Sequence, residues 1–117
     1  MQYLLIIYQN EVEYAKIDAA TSQKILADYQ SFTQDIIKNG NFKAGDRLQP
    51  TTTATTVRVR EGKTLTTDGP FAETREQLGG YYLIEAKDLN AAIEIAARIP
   101  SARIGSIEVR PIWVYDK

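Results

Sequence analysis

The densest group of side chains able to do chemistry lies in one stretch, Asp68-Gly69-Pro70-Phe71-Ala72-Glu73-Thr74-Arg75-Glu76-Gln77. Asp68 sits just before a Gly-Pro break. Its carboxylate could serve as a general acid or base, or accept a hydrogen bond from a ligand, at the mouth of a cleft. The plainer reading is an aspartate that accepts nearby backbone N–H groups and fixes the turn, the commoner role for Asp beside Gly. Arg75 carries a planar guanidinium that can clamp a carboxylate or phosphate two-pronged, with Glu73 as a partner carboxylate. The alternative for Glu73, Arg75, Glu76 and Gln77 is a solvated turn whose charge pairs contribute little. Gly69 and Pro70 are conformational, and Phe71 is either a core anchor or a ring for a ligand to stack on.

What the chain lacks narrows the chemistry further. It has no cysteine and no histidine. A disulfide framework, a thiolate metal site and a Cys nucleophile are excluded, as are Ser-His and Cys-His pairs and most zinc sites. Acid–base work would fall to carboxylates, Tyr or Lys, and neither a metal nor a cofactor is expected. Tyr8, Tyr81 and Tyr82 fall on neighbouring apolar runs. Because strand residues alternate faces, at least one of their hydroxyls should turn inward and need a partner. Gly79-Gly80 could let a ligand approach the backbone, but it fits no dinucleotide or phosphate-loop pattern.

Lys and Arg total 14 against 15 Asp and Glu, a net charge of −1. That balance offers no basic face for direct contact with nucleic acid, and none for an anionic membrane. Arg58 and Arg60 read as a solvated strand face. The opening run Tyr3-Leu4-Leu5-Ile6-Ile7-Tyr8 is too short to span a bilayer and lacks signal-peptide flanks, so a cytoplasmic protein is expected.

The elements that must position these groups can be read from periodicity. A chain of 117 residues with 44% apolar content fits a single domain over residues 1–117. Tyr3 to Tyr8 reads as a central strand covered on both faces. Ile25, Leu26, Tyr29, Phe32, Ile36 and Ile37 form a helical stripe over Thr21 to Asn39, with Thr21 or Ser22 as its cap and Asn39-Gly40 as its stop. Lys43 to Gln49 is a connector or short strand, and Thr51 to Ala54 an extended lead-in. Thr56 to Arg60 alternates as a half-buried strand. It turns at Glu61-Gly62 and returns through Lys63 to Thr67 as a hairpin. Ala72 to Leu78 reads as a short helical turn ended by Gly79-Gly80, before a strand from Tyr81 to Ala86. Asp88 caps a second helix with Leu89, Ala92, Ile93, Ala96 and Ala97 inward. Ile107 to Val114 is a last strand, and Pro111 within it marks an edge position or a bulge. The core order is βαββαβ: an α+β, ferredoxin-like pattern with an antiparallel sheet. Helices cover one sheet face, and the other keeps enough Leu, Ile, Tyr and Trp113 to predict packing against a second copy.

The segment from Asp68 through Gln77-Leu78-Gly79-Gly80-Tyr81-Tyr82-Leu83-Ile84-Glu85 resembles the signature of the DGPF-domain proteins, a branch of the YCII-related superfamily. The likeness extends to Tyr3-Leu4-Leu5-Ile6-Ile7-Tyr8, to Leu48-Gln49-Pro50 with Thr55-Thr56-Val57-Arg58, to Ala96-Ala97-Arg98-Ile99-Pro100, and to Ile107-Glu108-Val109-Arg110-Pro111-Ile112. It covers nearly the whole chain. The resemblance implies a ferredoxin-like protomer that dimerises through its sheets in the dimeric α/β-barrel manner. By family position it adds Asp46, Arg47 and Arg110 as pocket residues. Relatives in the wider superfamily carry a His-Asp pair thought to be an active site, and this chain has no histidine to match it. Family members are often encoded beside, or fused to, sigma-factor-like proteins.

Two functions stay open on these grounds. One is a small-molecule binder or enzyme, with Asp68 as acid or base and Tyr8, Arg47, Phe71, Glu73, Arg75 and Tyr81 around the ligand. The other is a non-catalytic interaction protein whose partner is a sigma-factor-like protein.

Overall fold

The apolar run near the N-terminus becomes the strand on which the sheet is laid. In the computed structural model, which describes residues 1–115, the elements in chain order are β1 (Gln2–Gln9), α1 (Glu11–Ala15), α2 (Ala19–Lys38), β2 (Phe42–Arg47), β3 (Thr55–Arg60), β4 (Lys63–Asp68), β5 (Gln77–Glu85), α3 (Leu89–Ala97) and β6 (Ser106–Pro111). Short turns of 3-10 helix occupy Thr51–Thr53 and Pro100–Arg103. The protein is α+β: β2-β5-β1-β6 form an antiparallel sheet in that spatial order, and β3 and β4 form a separate two-stranded ribbon.

Alternation along β1 divides the molecule into faces. Tyr3, Leu5 and Ile7 point into the core with Tyr82 and Ile84 of β5, under Phe32 and Ile36 of α2 and Ala92, Ile95 and Ala96 of α3. Phe32 meets the Tyr82 ring edge-on, with ring centres 5.2 Å apart. Leu4 and Ile6 alternate to the opposite face, which no helix covers. Ile6 is nonetheless buried, while Leu4 is half-buried. The strand is thus central but packed by helices on one side only.

Local signals account for the helix ends. Asp18 caps α2, its Oδ1 accepting the Thr21 N–H at 2.7 Å, so the helix starts earlier than Thr21 or Ser22 as caps would place it. Gly40 takes the left-handed conformation beyond Lys38, with φ 80°. Asp88 caps α3 through the Ala91 N–H, as the sequence predicts. The inward set of α3 shifts, however: Ile95 is buried, whereas Leu89, Ile93 and Ala97 are exposed. Pro111 closes edge strand β6 opposite Tyr3. The segment at Phe42–Arg47 is a true sheet strand, and Thr51–Thr53 is coiled rather than extended.

Two expectations change more deeply. The predicted helical turn over Ala72 to Leu78 does not form, and Gly79-Gly80 lie inside β5 instead of ending a helix. Their register with β1 shifts between Ile7 and Tyr8, which makes a bulge. The β3–β4 hairpin forms with its predicted turn, Glu61 and Gly62 both at positive φ as a type I′ loop requires. It is not half-buried, because it does not join the main sheet. Val57, Val59 and Leu65 are exposed on it. The projecting arm raises the radius of gyration to 16.4 Å, against about 13 Å for a compact chain of this length.

The cap on α2 yields a pH-dependent prediction. Backbone and side-chain hydrogen bonds from Thr21 lower the Asp18 carboxyl below its usual 3.8. A lowered folded-state value means that the stabilisation is present above the unfolded value and lost as pH falls through the lowered one. Asp18→Ala should therefore melt earlier than the parent at neutral pH, and the gap in melting temperature should narrow on acidification through that range. A gap that stays constant down to strongly acidic pH would assign the cap no ionised character.

Candidate functional site

A cleft of about 490 Å³ opens between the N-terminal half of α2 and the sheet. It exists because α2 is seated on the sheet by Phe32 and Ile36 toward its far end, whereas Ile25, Leu26 and Tyr29 overhang the strands. Half of the apolar stripe read from the sequence thus lines this opening instead of closing a core.

Glycines keep the sheet side of the cleft thin. A Cβ on Gly45 would stand 2.8 Å from the Tyr82 ring, and one on Gly80 would stand 2.8 Å from the Asp46 carbonyl oxygen. Neither could be added without moving backbone or ring. Gly79 differs, since a Cβ there would meet only the Gln9 side chain, at ordinary distance. Ile7 and Phe42 add apolar wall, and Tyr14 of α1 stands at the rim.

The depth of the cleft holds connected polar groups. Ser101, on the 3-10 turn after α3, is 1% exposed. Its Oγ donates to Gln9 Oε1 at 2.9 Å and lies 2.5 Å from the Tyr29 hydroxyl. Thr33 Oγ1 and the Tyr82 hydroxyl form a second pair at 2.7 Å. Burial pushes the Tyr29 and Tyr82 phenols up, with the bonds to Ser101 and Thr33 acting against it. Both therefore stay protonated at neutral pH. Buried hydroxyls need partners, and here they find them in each other.

The residues singled out from the sequence divide between this cleft and the arm. Arg47 lines the cleft, and Asp46 and Tyr81 lie at its edge. The Tyr81 hydroxyl donates to Asp46 Oδ2 at 2.6 Å, a bond that raises the Tyr81 phenol. Tyr8 pairs with Leu78 and Ser106 and does not line the cleft. Arg110 pairs with Glu108 on the same sheet face as Leu4 and Ile6.

Asp68, Phe71, Glu73 and Arg75 are all exposed, and none lines the cleft. Asp68 ends β4 opposite Thr55. The bonds that close the root of the arm come from its neighbours: the Gly69 N–H donates to the Ala54 carbonyl, and Thr56 Oγ1 donates to the Gly69 carbonyl. The polar stretch beyond is held by its less conspicuous members. Gln77 Nε2 donates to the Thr74 carbonyl at 2.6 Å, and Gln77 Oε1 accepts the Glu11 N–H at 2.9 Å. Ser106 Oγ donates to Glu76 at 2.8 Å. The Glu11 carboxylate accepts from both the N–H and the hydroxyl of Thr51, tying α1 to the segment that leads into the arm.

Sequence reasoning missed Gln9, Thr33 and Ser101. Tyr29 was visible only as one member of an apolar stripe, and Ser101 has no motif beyond following Pro100. A larger, shallower groove of about 620 Å³ runs between α2 and the 3-10 turn on the outer surface. Its charges already pair, Arg103 with Asp28 at 3.5 Å and Arg98 with Asp35 at 4.0 Å, so it makes a poorer site. Among the described residues, no group of three or more Asp or Glu is placed to hold a metal ion. No helix among them is long and apolar enough to cross a membrane.

Comparison with known proteins agrees with the resemblance in the sequence. The YCII-related domain matches residues 1–116, and the chain belongs to that family. A protein of Rhizobium meliloti (strain 1021), described as uncharacterised, is 35% identical over 117 residues, covering 98% of this chain and 94% of that one.

The buried hydroxyl bridge generates the next prediction. Ser101→Ala removes the link and leaves the Gln9 carbonyl and Tyr29 hydroxyl without their partner in a half-buried site. Urea unfolding should report a loss of about 1–3 kcal/mol. A loss no larger than that of a surface Ser→Ala change would show the bridge to be energetically idle.

Proposed function

We propose that this YCII-related protein binds a small molecule in the cleft beneath α2 and works in the cytoplasm as a homodimer. The observation that carries the proposal is the hydrogen-bonded trio of buried Ser101 with half-buried Gln9 and Tyr29, in a cleft whose walls include Ile7, Ile25, Leu26 and Phe42. Ligand sites have this composition, mostly apolar walls with few convergent polar groups, and a volume in this range. A fold could close the same space more simply with aliphatic side chains.

The ferredoxin-like, dimeric α/β-barrel plan is the fold reading that fits best. With α1 and the arm set aside, the order is strand, helix, strand, strand, helix, strand, and the four main strands lie as β2-β5-β1-β6. Several features support a second copy on the uncovered sheet face. The molecule is only 19 Å thick. Leu4, Ile6, Tyr81 and Leu83 form an apolar centre on that face, with Asp46, Glu108 and Arg110 around it. Phe71 and Trp113 are each 78% exposed, and the arm adds Val57, Val59 and Leu65. Apolar surface of this kind on a small protein marks an interaction site.

Within this scheme Arg47 stays a ligand-binding residue, with Tyr81 and Tyr8 at the cleft edge and the open sheet face. The loop from Asp68 through Phe71, Glu73 and Arg75 serves assembly, with Asp68 at the root of the arm that Gly69, Ala54 and Thr56 close. A second reading rests on the arm itself. An exposed two-stranded ribbon with Val57, Val59 and Leu65 is also what a non-catalytic partner-binding protein would present, and a sigma-factor-like protein is the partner suggested by the family. The two differ in what covers the arm: a second copy in the first, a different protein in the second.

Gly79→Leu tests the cleft, since Gly79 lines it and a Cβ there meets the Gln9 side chain at ordinary distance. The parent should show ligand-induced melting shifts in a small-molecule screen, and Gly79→Leu should lose them while melting cooperatively on its own. Shifts that persist undiminished in Gly79→Leu would place the binding elsewhere. Sedimentation should report a dimer at micromolar concentration, and Leu83→Glu, on the uncovered face, should shift it toward monomer. A parent that sediments as a monomer would sink the sheet-face assembly.

A further inference from the structure

The hydrogen-bond wiring of the cleft restricts the chemistry of what it can hold. Ser101 has one hydroxyl hydrogen, and it goes to Gln9 Oε1. Tyr29 touches the same Oγ and must therefore donate its own hydrogen to Ser101. This leaves the Tyr29 oxygen as an acceptor only. Gln9 has its carbonyl occupied, and its Nε2 lies beside Gly79, 3.5 Å from where a Cβ on that residue would stand. The inner end thus calls for a group that donates to Tyr29 and accepts from Gln9. A hydroxyl does both.

The opposite end differs in charge. Of the charged residues at the cleft, Asp46 pairs with Tyr81 on the opposite sheet face, whereas Arg47 pairs with Gly80 on the cleft side, where its guanidinium can attract an anion. Arg47, Gly80 and Ile7 lie in register across β2, β5 and β1. At about 4.8 Å per strand, the backbones of Arg47 and Ile7 stand roughly 10 Å apart, and the hydroxyl end lies beyond Ile7 at Gln9. Between them Gly79 and Gly80 add no side chain to the floor, where Gln9 lies against Gly79 and the β2 backbone against Gly80, and Ile25 and Leu26 line the helix side. A slot with a low glycine floor and an aliphatic roof favours a flat apolar body.

Accepting the cleft as a small-molecule site, we propose that its ligand is a flat, conjugated carboxylic acid with a hydroxyl at its far end. The carboxylate pairs with Arg47, the conjugated body lies over Gly79 and Gly80, and the hydroxyl sits between Tyr29 and Gln9.

The test is calorimetric titration of the full chain with three probes: para-hydroxycinnamate, cinnamate, which lacks the hydroxyl, and methyl para-hydroxycinnamate, which lacks the charge. The hydroxy acid should bind about tenfold more tightly than either of the others. Arg47→Gln should abolish the preference for acid over ester and keep the preference for hydroxyl. Tyr29→Phe should do the reverse. Equal affinity for all three probes would overturn the assignment, as would an acid preference that survives Arg47→Gln. The probe series on the parent decides the matter even if Tyr29→Phe does not fold. If the acids fail but neutral compounds shift the melting of the parent and not of Gly79→Leu, the ligand class falls and the small-molecule site stands. If no compound shifts the parent, both fall.

Discussion

The bulged pairing of β5 with β1 is the constraint on which the rest of the architecture depends. Above the bulge, Gly80, Tyr82 and Ile84 face the helices. In an unbroken strand Gln77 would then face away from them, because side chains alternate strictly. One extra residue at Gly79 resets the alternation, so that Gln77 pairs with Gln9 and shares its face. There it accepts the backbone of Glu11 and holds α1 against the sheet end, while Glu11 in turn grips Thr51. A single inserted residue thus places the rim of the cleft, its thin floor and the lead-in to the arm.

The cleft follows from how α2 is anchored. Phe32 and Ile36 fix one end of the helix to the sheet, and the wide Tyr82 ring beneath Phe32 keeps it off the strands. Gly45 is required by the same ring, since any side chain there would strike it. The N-terminal half of α2 carries polar residues among its Ile and Leu, so it gains less from descending onto the sheet than a fully apolar helix would. Hydroxyls from α2, β5 and the turn after α3 fill the depth, each satisfying another. Breaking one such network leaves unpaired groups in a poorly hydrated site, which makes the arrangement specific.

The two faces of the sheet serve different ends. The helix-covered face buries a continuous aromatic and aliphatic core and makes the cleft. The other mixes an apolar centre with the paired charges of Arg110 and Glu108 and the Asp46–Tyr81 bond. The arm adds exposed Val57, Val59 and Leu65 outside the main sheet.

Much of this was legible along the chain. Both long helices, the central strand, the hairpin with its Glu61-Gly62 turn, the Asp88 cap and the edge position of Pro111 all rest on local periodicity or local backbone chemistry, which a sequence states directly. The family was legible too, because a long motif and several scattered segments agree. The site was legible only in part. Arg47 and Tyr81 were named and lie at the cleft, but the conspicuous loop from Asp68 to Arg75 drew attention to the arm and away from Gln9, Tyr29 and Ser101. Those residues are far apart in sequence, and each taken alone reads as a strand end, a stripe member or a turn. Only the packing of α2 over a bulged sheet brings their polar atoms within hydrogen-bond distance, since it depends on contacts between distant segments that no local pattern encodes. For the same reason Gly79-Gly80 reads as a helix stop along the chain and acts as a bulge in the fold: the deciding partner is β1, at the other end of the molecule's sequence.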